Sequence, residues 1–225
     1  MEEHSKRKYL KITFLGIKMA FNFSIRANFI YLKRPNGELK KVSSIKGLKI
    51  KFKHSNSKVI IHEPKVTFKN CILIIGENCT FEVGAKTKDT LVGIKNVVFD
   101  MPHKDAKIII GDNLYFKGGK VTVLQDSSLT IGEDCLFSSG ITINIGNDHP
   151  MYDLNNPNKE RQRRHVDISN KVWIGMNATI LKNASVASGS IVGASSVVAK
   201  KFEEENVAIA GNPARIIKRE IGWDK

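Results

Sequence analysis

Aliphatic residues recur at every sixth position in the last third of the chain. The members of this repeat are Ile168, Ile174, Ile180, Val186, Val192 and Val198. A small or β-branched residue follows four positions after each of the first five: Val172, Ala178, Ala184, Ser190 and Ser196. A period of six is neither the 3.6 of a helix nor the two of a strand. It predicts a β-solenoid with three short sides per turn.

A looser form of the repeat occurs earlier in the chain. Segments 75–81, 110–116 and 131–137 each begin with Ile-Gly and reach an aromatic residue, Phe81, Phe116 or Phe137, at the sixth position after the isoleucine. Such units cannot bury an apolar face alone, and stacking several of them supplies a common core. We therefore assign residues 47–201 to the solenoid.

The sequence on either side of the repeat differs in character. Residues 1–46 are predicted to form a basic capping region, with strands over 29–34 and 38–42 around the turn signal Pro35-Asn36-Gly37. Residues 145–166 are polar and turn-rich, interrupt the repeat, and are predicted to project as a loop. Residues 202–225 are predicted to form an extension and a short helix that starts near Pro213.

The net charge is concentrated in the first third of the chain. Residues 1–70 contain 17 Lys or Arg and 4 Asp or Glu, so they carry +13 of the chain's +14. Leu48, Ile50 and Phe52 alternate with lysines, which predicts a strand with one apolar and one cationic face. This charge fits a solvated surface, an anionic glycan acceptor or peripheral contact with an anionic membrane. No nucleic-acid motif accompanies it, so nucleic acid is not an expected partner.

The remaining composition indicates a protein of the cytoplasm. No apolar run approaches the ~18–20 residues that cross a bilayer, and no clear signal peptide is present. The 3 cysteines argue against a disulfide framework. Cys79 and Cys135 occupy the small position of the repeat, which favours packing over nucleophilic or metal-binding roles. The histidines are scattered, so no metal is expected.

Residues 129–219 resemble the bacterial hexapeptide-repeat acyltransferases. The resemblance is carried by Leu129-Thr-Ile-Gly-Glu-Asp, Asn147-Asp-His-Pro, Val172-Trp-Ile-Gly, Val192-Gly-Ala-Ser-Ser-Val-Val and Gly211-Asn-Pro-Ala-Arg-Ile-Ile. The pattern is similar to galactoside and maltose O-acetyltransferases and to capsular polysaccharide and polysialic acid O-acetyltransferases. The 24-residue step from His149 to Trp173 is similar to the polysialic acid type. The resemblance implies an all-β, left-handed parallel β-helix and a homotrimer with active sites between neighbouring chains.

The resemblance also implies the chemistry of the site. His149 is expected to be the catalytic base, because a sugar hydroxyl attacks a thioester only as its proton is removed and a pKa near ~6.5 suits that transfer. His165 is the weaker rival. Trp173 is expected beside the thioester of acetyl-CoA, with its side chain pointing outward. A backbone N–H of Gly175 or Met176 could stabilise the developing oxyanion.

Further residues are expected to bind the two substrates. The resemblance implies that Ala194, Lys200, Arg215 and Lys218 bind acetyl-CoA, with the cations on its phosphates. Asn144, Asp148 and Tyr152 are expected to contact the acceptor, and Asp148 or Asp153 could orient His149. Lys120 stands where the galactoside enzymes carry an acceptor-binding Asn, which weakens a simple galactoside interpretation.

The sequence leaves three functions open. The leading one is acetyl-CoA-dependent O-acetylation of a sugar hydroxyl in a surface polysaccharide, which the basic first third would favour as an anionic, sialic acid-containing acceptor. The second is N-acetylation of an amino sugar or another small molecule. The third is a β-helix that binds ligands without catalysis.

Overall fold

The computed structural model describes residues 8–14, 17–23, 27–88, 91–146, 149, 154 and 164–225, with the backbone alone over 8–23. Strands and turns make up this part of the chain, and no helix occurs in it. Accordingly, the described residues contain no helix that is long and apolar enough to cross a membrane.

Three stacked parallel sheets form the body of the molecule, and each coil passes from sheet I to sheet II to sheet III. Sheet I contains β7 (Phe68–Lys69), β10 (Gly93–Lys95), β13 (Tyr115–Phe116), β16 (Leu136–Phe137), β19 (Trp173–Ile174), β22 (Ile191–Val192), β25 (Ala208–Gly211) and β26 (Ala214–Lys218). Sheet II contains β5 (Leu48–Phe52), β8 (Cys71–Ile75), β11 (Val97–Met101), β14 (Gly119–Val123), β17 (Ile141–Ile145), β20 (Thr179–Leu181) and β23 (Val197–Val198). Sheet III contains β3 (Phe29–Lys33), β4 (Leu39–Val42), β6 (Lys58–His62), β9 (Thr80–Val83), β12 (Lys107–Ile110), β15 (Ser127–Ile131), β18 (Arg164–Ile168), β21 (Ser185–Val186) and β24 (Lys201–Phe202). This architecture is consistent with a left-handed β-helix.

The hexad repeat supplies the core, as predicted. Its six aliphatic members are fully buried, and the small residues that follow them are buried at the corners. Phe116 and Phe137 occupy equivalent inward positions on adjacent coils, and their rings pack edge to face with centroids 5.2 Å apart and planes inclined by 70°. Because each inward position contacts its counterparts above and below, the core runs continuously through the coils.

The corners depend on residues that tolerate a left-handed backbone. Asn78, Asp105 and Asp126 occupy equivalent corners between sheets II and III, with φ values of 51°, 58° and 54°. Asn and Asp adopt this region more readily than other non-glycine residues. The recurrent Asn and Asp of the repeat therefore set the sharp turns between the three sides.

The first part of the chain closes one end of sheet III. Strands β3 and β4 form the predicted antiparallel hairpin, and β3 also pairs in parallel with β6, so the ladder begins before residue 47. Strand β4 is the outermost strand of that sheet. Strands β1 (Lys8–Phe14) and β2 (Ile17–Phe23) form a separate antiparallel pair. Strand β5 alternates as predicted, with Lys49 and Lys51 exposed and Leu48 buried.

The predicted C-terminal helix is wrong. Residues 214–218 form strand β26, which pairs in antiparallel fashion with β25 after a turn at Asn212-Pro213. The last parallel strand of sheet I would otherwise leave a row of backbone N–H and C=O groups without partners. Pairing with β26 satisfies these groups, and this tertiary demand outweighs the helix signal of Pro213.

Candidate active site

His149 lies where the chain leaves sheet II for sheet III. It follows β17 by four residues, in a bend, and its side chain is exposed. The predicted acceptor residue Asn144 is exposed on β17, where its Cα pairs with those of Thr122 and Leu181. The other predicted partners, Asp148, Tyr152 and Asp153, lie outside the described residues. His149 and Asn144 therefore belong to the same side of the coil.

Trp173 lies on a different side of the molecule. It occupies β19 in sheet I, and its neighbour Ile174 is fully buried, so the indole points outward as predicted, with 38% of its surface exposed. The corner that carries His149 joins the two other sheets and lies opposite sheet I. One copy of the chain therefore does not bring His149 and Trp173 together.

Two rows of residues run along the outer face of sheet I. The tryptophan row consists, by strand register, of Tyr115, Leu136, Trp173, Ile191, Ala208 and Lys218. The glycine row lies beside it and consists of Ser138, Gly175, Gly193, Ala210 and Arg215. The first four residues of this second row are small and are buried or half-buried, and exposed Arg215 stands at its end.

The rows bring together most of the residues predicted to bind acetyl-CoA. Trp173, Gly175, Arg215 and Lys218 share the face of sheet I, and Ala194 lies at the adjoining corner between sheets I and II. Lys200 does not join them. It lies at the corner between sheets II and III, where its Nζ is 5.2 Å from the centre of the Phe202 ring, so it shares a corner with His149.

The two predicted oxyanion donors differ in their backbone bonds. The Gly175 N–H donates to the Val192 carbonyl at 2.7 Å, so it is committed to the ladder between coils. Met176, at the next position, turns the corner with its side chain exposed, and its carbonyl accepts from the Ser195 N–H at 2.8 Å. Of the two N–H groups, only that of Met176 remains a candidate donor.

Trp223 is a feature of the site that the sequence did not reveal. Its ring centroid lies 6.1 Å from that of Trp173, and its Nε1 donates to the Lys171 carbonyl at 3.1 Å. Lys171 Nζ lies 3.5 Å from Asp224 Oδ1, and the Lys225 ammonium donates to the Asn113 carbonyl. Residues 219–225 thus run down the corner between sheets III and I and flank the tryptophan row. A lone aromatic in a charged tail gave no signal of this contact.

His165 is held by its neighbours on sheet III. The Ser128 Oγ lies within 2.8 Å of its Nδ1, and Asp167 Oδ1 lies 3.9 Å from its Nε2. The side chain lines a cavity of about 700 Å³ together with Asp167, Ser185 and Lys201. His165, the alternative candidate base, therefore has side-chain partners in this structure. It lies on sheet III, away from the corner that carries His149 and from sheet I, which carries Trp173.

The cysteines are buried thiols, which agrees with their predicted packing role. Cys71, Cys79 and Cys135 are all free and buried. Burial raises the pKa of each, and raises the pKa of Cys135 to about 12. A thiolate is the reactive form, so none of them is a competent nucleophile at neutral pH. The described residues contain no cluster of three metal-ligating side chains.

Known proteins with similar sequences are acetyltransferases. The polysialic acid O-acetyltransferase of Neisseria meningitidis is 32% identical over 164 residues, which cover 69% of this chain and 76% of that protein. The chain belongs to the hexapeptide-repeat acetyltransferase family. The polysialic acid O-acetyltransferase of Escherichia coli O1:K1 is 31% identical over 120 residues. The match covers 53% of this chain but only 39% of that relative, so the chain spans well under two thirds of it.

The family assignment extends to three dimensions. The crystal structure of the polySia-specific acetyltransferase NeuO superposes with a TM-score of 0.70 at 28% identity. The superposition covers 88% of this chain and 78% of that one. No family model matches the chain. The fold and the family therefore rest on these pairwise similarities, which agree with the hexad pattern.

Proposed function

We propose that this protein is an acetyl-CoA-dependent O-acetyltransferase that modifies a sugar hydroxyl of an anionic surface polysaccharide. The observation that carries the proposal is the pair of rows on sheet I: Trp173 stands beside the glycine row, and the two rows end in the cations Lys218 and Arg215. The similarity to polysialic acid O-acetyltransferases supports an anionic, sialic acid-containing acceptor.

The rows fit the shape and charge of acetyl-CoA. Arg215 and Lys218 would hold its phosphates, since both side chains are exposed on β26, one at the end of each row. Gly193 and Ala210 carry little or no side chain, so the slender pantetheine arm could lie along the glycine row towards Trp173. Bound there, acetyl-CoA supplies an activated acetyl thioester. The Trp173 indole N–H is a donor at that end of the row.

His149 is the proposed general base. Its imidazole would take the proton of the acceptor hydroxyl as the oxygen attacks the acetyl carbonyl, and would then return that proton to the departing thiolate. The Met176 N–H would donate to the carbonyl oxygen as negative charge develops there. The bond formed is the C–O bond of the ester and the bond broken is the C–S bond of the thioester, so transfer is direct.

We infer further that the site forms between copies of the chain. His149 and Trp173 lie on opposite sides of one coil stack, so a working site needs His149 from one copy and Trp173 from the next. A closed trimer supplies three such pairs by symmetry. Lys200 shares the corner of His149 and would thereby approach the same groove from the histidine-bearing copy.

Mixed oligomers test this arrangement. His149→Ala and Trp173→Ala should each be inactive alone, measured as acetyl transfer from acetyl-CoA to polysialic acid. After the two variants are unfolded and refolded together at equal ratio, about one quarter of the sites in a trimer should pair an intact histidine with an intact tryptophan. Recovery near that fraction supports a shared site. Activity that stays at the level of the separate variants would refute it, provided that refolded wild type regains full activity.

A further inference from the structure

Three lysines continue the glycine row away from Arg215. Lys69 and Lys95 are Cα partners on β7 and β10, and the register of β10 with β13 puts Lys117 on the next coil. Lys69 and Lys117 are exposed, and Lys95 is half-buried with its Nζ 5.4 Å from the Tyr115 ring centroid. Neighbouring strands lie about 4.8 Å apart. The lysine row, Lys69, Lys95 and Lys117, is thus a line of charges at single-strand spacing.

Nothing in the described part of the chain neutralises this row. No carboxylate there lies within ion-pair distance of any of the three ammonium groups. Lys120 on sheet II differs, because its Nζ lies 3.4 Å from Asp100 Oδ2. Like charges on directly neighbouring strands repel each other and destabilise a sheet. The row therefore carries a structural cost that an anionic ligand would relieve.

The position of the row relates it to the candidate active site. The Lys117 N–H donates to Phe137, and the Ser138 N–H donates to Ile174, so Ser138 is one strand beyond Lys117 and Gly175 is two. Arg215 and Lys218 stand at the opposite end of the same face. In the proposed function, these two cations bind the phosphates of acetyl-CoA. The cations of the lysine row lie on the other side of Trp173 and are left for a second anionic ligand.

We propose that the lysine row binds the acidic groups of a polyanionic acceptor that lies along the solenoid axis. This inference rests on the proposed function and adds to it the surface that holds the polymer, well away from the hydroxyl that reacts. From Lys69 to Gly175 is four strand steps, or about 19 Å, which requires several sugar units. Tyr115 and Leu136 of the tryptophan row lie alongside and offer an apolar surface to the sugar rings.

The geometry favours a glycan over other polyanions. A single line of charge beside a narrow apolar strip matches a single flexible chain with acidic groups along it. A membrane surface is attracted by broad clusters of basic residues. Single-stranded nucleic acid binds through several exposed aromatic rings on which its bases stack. Among the described residues next to the row, Tyr115 is the one aromatic ring, and it is half-buried beneath Lys95.

The test compares two triple variants with the same change in charge. K69Q/K95Q/K117Q removes the lysine row, and K40Q/K58Q/K107Q removes three exposed lysines of sheet III. Binding of fluorescent polysialic acid is measured without acetyl-CoA over a range of salt concentrations. The first variant should bind at least about tenfold more weakly, with a shallower salt dependence, because the exposed ion pairs lost are screened by salt. The second variant should bind like wild type.

The inference would be overturned by equal binding of polysialic acid by both variants and wild type, or by equal weakening in both variants. Loss of binding to anionic phospholipid vesicles or to an oligonucleotide, with polysialic acid unaffected, would also overturn it. Transfer assays separate this result from the proposed function. The first variant should acetylate sialic acid monomer at the wild-type rate while its KM for polysialic acid rises. If wild type binds the polymer through these lysines but transfers acetyl to no sugar, the proposed function fails. The lysine row would then still be a polymer-binding site.

Discussion

The indole rings of Trp173 and Trp223 lie with their centroids 6.1 Å apart and their planes tilted by 49°. Trp223 is nearly buried, whereas Trp173 keeps over a third of its surface exposed. The exposed ring of Trp173 therefore packs on one side against the buried ring of Trp223. Since the Trp223 Nε1 is fixed by the Lys171 carbonyl, the tail can set the orientation in which Trp173 meets a ligand.

Trp223→Ala should weaken catalysis by releasing Trp173. We expect a loss of about 3 kcal/mol in the free energy of unfolding, which is typical of truncating a buried large aromatic, and a higher KM for acetyl-CoA. The chain contains 2 tryptophans, so an exciton signal between them in circular dichroism reports the pair directly.

Trp223→Phe is the matched control for that variant. It keeps an aromatic ring against Trp173 but loses the hydrogen bond to Lys171, so it should recover much of the stability while the exciton signal disappears. If Trp223→Ala kept the wild-type KM in spite of a lower melting temperature, the tail would be structural only.

Much of this fold follows from local sequence periodicity. Every inward position of the hexad, from Ile168 to Val198, is where the pattern predicts it, because each coil repeats the same local environment. Features that depend on contacts between distant segments could not be predicted from this periodicity. The strand at 214–218 forms because β25 offers an open edge, and the contact of Trp223 with Trp173 joins residues fifty positions apart. The separation of His149 from Trp173 likewise emerges only when the coils are stacked in three dimensions.

Gly175→Ala should destabilise the protein because a Cβ at this position would collide with the backbone of the next coil. A Cβ there would lie 2.6 Å from the Ala194 backbone nitrogen and 2.8 Å from the Val192 carbonyl oxygen. Both atoms belong to the next coil and cannot rotate away. We expect a loss of about 1–3 kcal/mol in the free energy of unfolding, measured by urea denaturation.

Gly222→Ala provides the comparison for Gly175→Ala. No atom lies within 4 Å of a Cβ added there, so the substitution should leave stability almost unchanged. Equal stability of the Gly175 and Gly222 variants would mean that adjacent coils separate more easily than their backbone bonds suggest.

The buried thiols predict a loss of stability in alkali. The pKa of Cys135 is raised to about 12, whereas in the unfolded chain it returns to its ordinary value near 9.0. The native state therefore keeps a proton that the unfolded state releases, so stability falls as pH rises above 9.0 and continues to fall up to about 12. The slope approaches about 1.4 kcal/mol per pH unit for this one thiol.

Cys135→Ala isolates the contribution of that thiol. The difference in the free energy of unfolding between wild type and this variant should shrink with rising pH in the alkaline range, because the variant has no proton to retain. Thiol titration offers an independent check: native protein should react slowly, and unfolded protein should expose all 3 cysteines. A pH-independent difference between the two proteins would mean that Cys135 is not protected by burial.

The two candidate bases, His149 and His165, can be distinguished by substituting each with alanine. His165 already has Ser128 and Asp167 as neighbours on sheet III, whereas His149 is exposed at the corner that a second copy would need to approach. We expect His149→Ala to lower kcat by about 10²–10⁴-fold, the usual contribution of a general base, while acetyl-CoA binding measured by calorimetry persists. His165→Ala should keep kcat within about threefold of wild type, well below that contribution. The reverse pattern would transfer the reaction to the cavity on sheet III, which His165 lines together with Asp167, Ser185 and Lys201.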